Sequence, residues 1–496
     1  MMKLWLGLLG GIAAALFLHA CGLVPLYSHS NTQFPSARLV GQFSAEEVPS
    51  GSDTASLEVP WDINWQCRNS FKVSKSEPAG IQTKSVPRLP LESCPRDDLN
   101  FVAIAISGGG SRAAVFSAAV LFELERYGLL QQVDVMSSVS GGSFTSAFYA
   151  LSCDRANNCP ATVEGPPRFV WEPKTVFPLL ELNYIRKWFG NWFWPQNIVR
   201  FWFTHFDRTD IMAKTLSDNL FDRSLTGNEG FRFHDLNPQR PNLLINATNF
   251  TSQPDAAADA NQPKANLYDF TFTTEEFRDL QSDFDQFPVA YAVMASATFP
   301  GVFNYVTLRD FSVARKEYVH LFDGGTYDNL GLTALWTVLE NMVRKDPKGR
   351  EAPKIVVLID AYTPVKGRER SDPDPRKMVD YVIDTNFLDA YDTLMAGLRM
   401  EKVDRTRNWL ENNNGTLIHM QFADLQGLSP TVYAAVKGIK TSLEIEEQDA
   451  VCLKHAARIL VKAEMEKLRK DTRFKEMIAN PPGEAYPIEP CTTAAR

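Results

Sequence analysis

The chain has 496 residues, 44% of them hydrophobic and 22% charged, with a formal net charge of -8. That composition supplies a large core, excludes disorder as the main state, and leaves room for more than one domain. The acidic balance, with no basic run longer than short pieces such as Lys366–Arg370, excludes a nucleic-acid-binding face of the ordinary basic kind.

In chain order, residues 1–20 open with a single Lys3, continue with an apolar run from Leu4 to Leu18 and end in small residues. This is the pattern of a secretory signal, and 15 apolar residues fall short of the roughly 20 a membrane-spanning helix needs. "LHAC" at Leu18–Cys21 resembles the lipobox of bacterial lipoproteins, although His19 departs from the usual small or aliphatic residue. The resemblance implies a lipid on Cys21 and a lipid-anchored protein of the bacterial cell envelope; an uncleaved anchor and a plain secretory signal are the alternatives. Gly22 is not the Asp associated with inner-membrane retention, which favours the outer membrane. Residues 22–99 are rich in Ser, Pro and charge and read as a tether and irregular N-terminal segment.

Setting Cys21 aside leaves six cysteines that fall as sequence neighbours: Cys67 with Cys94, Cys153 with Cys159, and Cys452 with Cys491. Three local disulfides would suit an oxidising compartment, whereas buried free thiols are the bland alternative. No spacing suits zinc.

From residue 100 the character changes. Phe101–Ile106 is a short, continuous apolar run, as in a buried parallel strand, and it leads through Gly108–Gly110 into a helix in which Ala114, Ala118, Leu121, Leu124 and Leu129 can share a face. Gln131–Ser143 repeats the theme, a strand and a tight turn, with Phe144–Cys153 as the helix that follows. Leu182–Phe206 carries four of the chain's ten tryptophans and six further aromatics, interleaved with Arg186, Lys187 and Arg200. It suits either a membrane interface or a helical hairpin using aromatics as bulk, and in both cases the wall or lid of an apolar cleft. Further strands are expected at Leu243–Ile245, Val319–Phe322 and Lys354–Tyr362. A helix is expected to end near Pro300, and another to cover Asp449–Lys470. Strands alternating with helices imply an α/β fold with a mainly parallel central sheet flanked by helices, over residues 100–480.

Three stretches could do chemistry. "SGGGSR" (Ser107–Arg112) is a glycine turn before a helix, able to aim amides at an anion; no Lys-Ser/Thr pair and no GxGxxG pattern follows, which counts against a nucleotide. Ser138-Val139-Ser140-Gly141-Gly142 is close to the G-x-S-x-G nucleophile elbow, with Ser138 in place of the first glycine. Ser137, Ser138 and Ser143 read as turn and capping residues. "FDGGTYDNLG" places Asp323 directly after a strand and before Gly324 and Gly325, so its carboxylate can project into a cleft as a base; an ordinary Asx turn is the alternative, and it is the preferred reading for Asp328 and Asn329. His320 is a second candidate base.

The order "SGGGSR", "SSVSGGS", "ASATFPGVF" and "FDGG", with "INATNF" between, resembles the patatin-like phospholipase family over roughly Asn100 to Leu443. The Gly-Gly ending of the elbow is similar to the branch that includes the cytosolic phospholipases A2. The resemblance implies a three-layer α/β sandwich and a Ser-Asp dyad that uses no His, no cofactor and no metal. By motif, Ser140 is the nucleophile, Asp323 the base, and Gly108, Gly109 and Gly110, closed by Arg112, the oxyanion hole. It also implies hydrolysis of fatty acyl esters of phospholipids or lysophospholipids through an acyl-enzyme. A general esterase or acyltransferase on the same fold, and a non-catalytic lipid-binding lipoprotein, are the alternatives. The partners expected are an acyl-ester lipid and a membrane surface, reached through Cys21 and the aromatic segment 182–206, with no nucleic acid.

Overall fold

The computed structural model describes Asn31 and residues 100–154, 169–204, 206–221, 230–237, 239–251, 268–312, 317–345, 350–363, 386–481 and 483–492. The expected signal at 1–20, the lipid site Cys21, the tether except Asn31, and Cys67, Cys94 and Cys159 lie outside the described residues, as does Lys366–Arg370.

Eight strands form one sheet: β1 Phe101–Ile106, β2 Val135–Val139, β3 Asn242–Asn249, β4 Asp269–Thr271, β5 Val306–Asp310, β6 Glu317–Asp323, β7 Lys354–Asp360 and β8 Gly415–Gln421. Their order is β5-β6-β3-β2-β1-β7-β8, with β4 pairing β3. The β3-β2-β1-β7-β8 body is parallel. Strands β4 and β6 pair β3 antiparallel, and β5 pairs β6 antiparallel.

The helices that position the site are α1 Gly110–Arg126, α2 Gly141–Leu151, α3 Pro173–Leu180, α4 Tyr184–Trp192, α5 Pro195–Phe203, α6 Arg208–Asn219, α7 Val289–Ser296, α8 Leu332–Lys345, α9 Asn386–Asn412 and α10 Glu447–Leu468. They cover both faces of the sheet, giving three layers. Val102, Ile104, Ile106, Ile355, Val357 and Ile359 point into a core shared with α1, α2 and α10. Phe101, Ala103, Ala105, Val356 and Leu358 point the other way, into a smaller core with α8 and α9. The near-continuous apolar runs of β1 and β7 follow from burial on both faces, the situation of a central parallel strand.

Several expectations shift in detail. The first helix stops at Arg126, and Leu129 lies beyond a turn in which Gly128 takes φ 71. The helix before Pro300 ends at Ser296. Residues 182–206 form a two-helix hairpin, α4 and α5, begun by an Asn183 cap and by Pro195 at a first-turn position that needs no N–H. Strands β5 and β8 and helix α9 have no counterpart in the expectations above.

Cys452 and Cys491 are disulfide-bonded. Cys153 is also in a disulfide, whose partner lies outside the described residues. Asn31 docks on the outer edge of β5: its Nδ2 donates to the Arg309 carbonyl (2.8 Å), and its Oδ1 accepts the Arg309 N–H (2.7 Å). One residue of the expected tether thus satisfies an open strand edge. Among the described residues no helix is long and apolar enough to cross a membrane.

Candidate active site

The carboxyl ends of β1 and β2 and the end of β6 meet at one place. Register aligns Ile106 with Ser138 and Ala247 with Asp323, which brings three chain segments far apart in sequence together.

Ser140 sits between β2 and α2 with φ 51 and ψ -125, a backbone conformation unfavourable for any residue with a Cβ. The turn is held from outside. The Ser140 N–H donates to Ser296 Oγ (2.8 Å), and Ser296 Oγ donates to the Asn246 carbonyl (2.6 Å). Asn246 Nδ2 in turn donates to Ser137 Oγ (2.8 Å) and the Ser138 carbonyl (3.0 Å). Ser138, standing where the elbow pattern has glycine, is fully buried. It donates to the Leu244 carbonyl (3.4 Å) and accepts from Ser146 Oγ (2.6 Å) and Ser143 Oγ (3.1 Å). Ser137, Ser138 and Ser143 are therefore members of a buried hydroxyl network, not the turn and capping residues expected.

The Gly141-Gly142 pair answers to close approach. A Cβ on Gly141 would overlap the Gly110 carbonyl oxygen and lie 2.6 Å from Gly110 N, while one on Gly142 would lie 2.6 Å from Ile106 Cγ2 and 2.7 Å from the Ser107 oxygen. The elbow and the glycine loop are packed backbone on backbone. Gly141→Ala is accordingly expected to lower stability by about 2 kcal/mol or more, as overpacking does. Ester hydrolysis should fall at least tenfold further than unfolding explains. Thermal melts and a rate assay on the same preparation check this.

Asp323 is buried at the end of β6. Its Oδ2 accepts from Ser140 Oγ (3.0 Å) and its Oδ1 from the Gly325 N–H (2.7 Å). The Asp323 N–H donates to the Thr298 carbonyl (3.2 Å), the Gly324 N–H to the Ser296 carbonyl (3.1 Å), and Thr248 Oγ1 to the Asp323 carbonyl (2.9 Å). Burial pushes the carboxyl up to about 6, against the two hydrogen bonds from Gly325 and Ser140, which favour the charged form. His320, the second candidate base, instead pairs with Thr307 Oγ1 (3.1 Å) and packs on Tyr305.

The glycine loop departs from expectation at its first amide. The Gly108 N–H donates to the Asn329 carbonyl (3.0 Å), so this amide is engaged and only the amides of Gly109 and Gly110 remain without a partner among the described residues. Gly109 and Gly110 take φ 143 and 60, conformations glycine adopts without penalty. Arg112 Nη1 donates to Thr363 Oγ1 and the Ile439 carbonyl, both at 2.6 Å, and so anchors α1 to neighbouring loops. A Cβ on Gly109 would lie 3.2 Å from Arg112 Nη2, so the guanidinium bears on the loop itself.

Behind Arg112 stands a cluster that spacing did not indicate. Asp360, at the end of β7, accepts from His419 Nε2 (2.9 Å), from Arg399 and from the Tyr362 N–H (3.1 Å). Burial alone would raise this carboxyl; His419 and Arg399 outweigh burial and hold it below the usual carboxylate range. The cluster fixes residues 360–363, including the Thr363 hydroxyl that receives Arg112. Asp328 behaves as the turn residue expected, accepting from the Leu330 and Thr333 N–H groups. Asn329 does more, because its backbone oxygen ties the dyad loop to the glycine loop.

Chemically, the arrangement offers a strained hydroxyl bonded to a buried carboxylate, two amides nearby, and the amino terminus of α2 beneath the hydroxyl, which favours negative charge there. Residues 104–336 match the Patatin-like phospholipase family. Among solved structures, human GIVD cytosolic phospholipase A2 is similar at 12% identity with a TM-score of 0.41, covering 77% of this chain and 60% of that one. VipD from Legionella pneumophila is similar at 14% identity with a TM-score of 0.30, covering 74% of this chain and 67% of that one. The chain thus spans less than two thirds of the human protein's length. No curated protein matches the sequence.

Proposed function

We propose, for a chain whose residues 104–336 are a patatin-like phospholipase domain, that it is a serine hydrolase cleaving the fatty acyl esters of phospholipids or lysophospholipids. The observation that carries this reading is the 3.0 Å hydrogen bond from Ser140 Oγ to Asp323 Oδ2 at a strained strand-to-helix turn.

In this mechanism Asp323 takes the Ser140 proton as Oγ attacks the ester carbonyl. Negative charge on the carbonyl oxygen is met by the Gly109 and Gly110 amides. Asp323 returns the proton to the departing alcohol, leaving an acyl-serine. Water, giving its proton to Asp323, attacks the acyl-serine, and the fatty acid leaves as Ser140 recovers its proton. A carboxylate of ordinary acidity is a weak base for a serine hydroxyl; burial brings Asp323 closer to a useful range. The chain's own groups supply every proton transfer.

Lipid on Cys21, in the "LHAC" stretch, would hold the protein to a bacterial membrane, the outer membrane being favoured by Gly22, with residues 22–99 as the tether and 100–480 as the catalytic domain.

The test is incubation of the purified chain with vesicles of phosphatidylcholine carrying different acyl chains at its two positions, alongside a short-chain nitrophenyl ester. Released fatty acid, identified by mass spectrometry, is the expected result and reports which position is cleaved. A folded protein that leaves both substrates intact overturns the reading.

A further inference from the structure

Five large apolar side chains of the α4–α5 hairpin face solvent: Phe189 (49% exposed), Phe193 (70%), Trp194 (60%), Val199 (57%) and Phe203 (61%). They are not a loosened core. The inner side of the same hairpin is packed: Trp188 meets Trp192 and Phe303 edge-on, and Trp192 packs at a tilt on Phe201. The Trp188 indole donates to the Arg208 carbonyl (3.0 Å), and buried Asn197 donates to the Asn191 carbonyl (2.8 Å). The packed hairpin therefore presents an outer row of solvent-facing apolar side chains, of which Phe189 also touches Trp188, a larger exposed apolar grouping than folded chains usually leave without a function.

The row continues to the dyad. Phe299 (41% exposed) and Val302 (47%) occupy the turn that follows Thr298, whose carbonyl receives the Asp323 N–H, and Ser296, whose hydroxyl receives the Ser140 N–H. Asn304, at the end of that turn, is bonded to Asp207 (2.8 Å), Arg208 (3.0 Å) and Thr209 (2.8 Å) at the hairpin's exit. One strap thus runs from the catalytic groups through an exposed apolar turn to the hairpin.

Charge selects the occupant. Residues 183–206 contain no Asp or Glu, in a chain of net charge -8, and Arg186, Lys187 and Arg200 on the hairpin are exposed. Of the acids beside it, Glu181 pairs with Lys454, Asp207 caps α6, and Glu444 accepts from Asn183 Nδ2 (2.6 Å) at the hairpin's start. Exposed aromatics among cations, with no acidic residue in the hairpin itself, match the boundary between headgroups and acyl chains of an anionic lipid surface.

We propose that the α4–α5 hairpin and the Phe299–Val302 turn form an interfacial docking surface that seats the protein on anionic bilayers and delivers lipid to the Ser140–Asp323 site. The delivery half rests on the hydrolase reading above; the docking half stands on the hairpin alone, and the experiment separates them.

The full chain is prepared with Cys21→Ser, so that no lipid is attached there, and with Ser140→Ala, so that vesicles stay intact. It is mixed with phosphatidylcholine vesicles with and without phosphatidylglycerol, each containing bromine-labelled acyl chains, and Trp fluorescence is followed. Trp194 is the reporter: quenching is expected on anionic vesicles, about tenfold weaker in affinity on phosphatidylcholine alone or in high salt. Trp194→Phe should remove most of the quenching. Phe193→Asp with Phe203→Asp should weaken it by about tenfold or more. Any contribution from the N-terminal segment is common to all variants, so their difference reports the hairpin. In the Ser140 background, the same pair should lower vesicle hydrolysis at least tenfold more than hydrolysis of a soluble short-chain ester. Equal quenching in the Phe193/Phe203 variant and its parent overturns docking, and an unchanged vesicle-to-soluble ratio overturns delivery. Expected quenching with no hydrolysis of either substrate upholds docking and overturns the hydrolase reading. If the double variant melts early, Arg186→Glu with Lys187→Glu, both exposed, gives the same decision.

Discussion

Ser140→Ala is expected to lower ester hydrolysis on the order of 10⁴-fold or more, the scale at which loss of a nucleophile leaves only binding and oxyanion contacts. The fold should survive. Alanine keeps the Cβ already accommodated at φ 51, and the Ser140 N–H still reaches Ser296 Oγ, so the turn retains its support from α7. What disappears is the hydroxyl bonded to Asp323 Oδ2. The melting midpoint should therefore remain close to that of the parent while turnover of a nitrophenyl ester disappears. Residual activity within tenfold of the parent, in a folded protein, would remove Ser140 from the mechanism.

The second large effect is at Asp323, where activity and stability should move in opposite directions. The base must be charged to accept the Ser140 proton, and its carboxyl is pushed up to about 6, mainly by burial. kcat/KM should therefore rise as pH increases through about 6 and level off above it. Stability has the opposite sign. The folded carboxyl holds its proton more tightly than the unfolded one, so between about 4 and 6 the native state binds more protons. This group's contribution is fully present below the unfolded value and is lost as pH rises through the folded value. Holding the charge in the fold at pH 8 costs about 3 kcal/mol. Asp323→Asn keeps the shape and the Gly325 contact and removes that charge. It should cut turnover roughly 10⁴-fold and raise the melting midpoint at pH 8, with the gain shrinking toward pH 4. A variant that is both inactive and less stable at pH 8 would contradict the account of Asp323 as a base strained by burial.

How much of this was legible in the sequence depended on whether a feature is local. Strands β1 and β7 are continuous apolar runs because both faces are covered, and they stand out within six or seven residues. Strand β8 lies at the sheet edge with burial alternating along its length, and β5 carries Thr307 and Arg309 among its apolar residues, so neither shows such a run. Ser140 and Asp323 were legible because glycines flank them in sequence. The residues that support them were not, since their partners are remote: Ser296 is 156 residues from Ser140, and Asn246 is 109 from Ser137. Ser296 lay inside "ASATFPGVF", a motif noted for its resemblance but not for its hydroxyl. The glycine loop shows the limit most clearly. Three glycines in a row predict three available amides, and only the tertiary approach of Asn329 reveals that the first is engaged. The anchoring of Arg112 was hidden in the same way, because the groups it binds, Thr363 and Ile439, are 251 and 327 residues away.

The most direct test of the central claim is to treat the folded chain with a fluorophosphonate and locate the adduct by peptide mass spectrometry. Reaction needs an activated serine and a site that stabilises charge on the phosphoryl oxygen, which are the two properties assigned here to Ser140 and to the Gly109 and Gly110 amides. A single adduct on Ser140, absent from Ser140→Ala and slowed below pH 6, is the expected result. An adduct on a different serine, or none on a folded protein that still hydrolyses esters, would contradict the assignment.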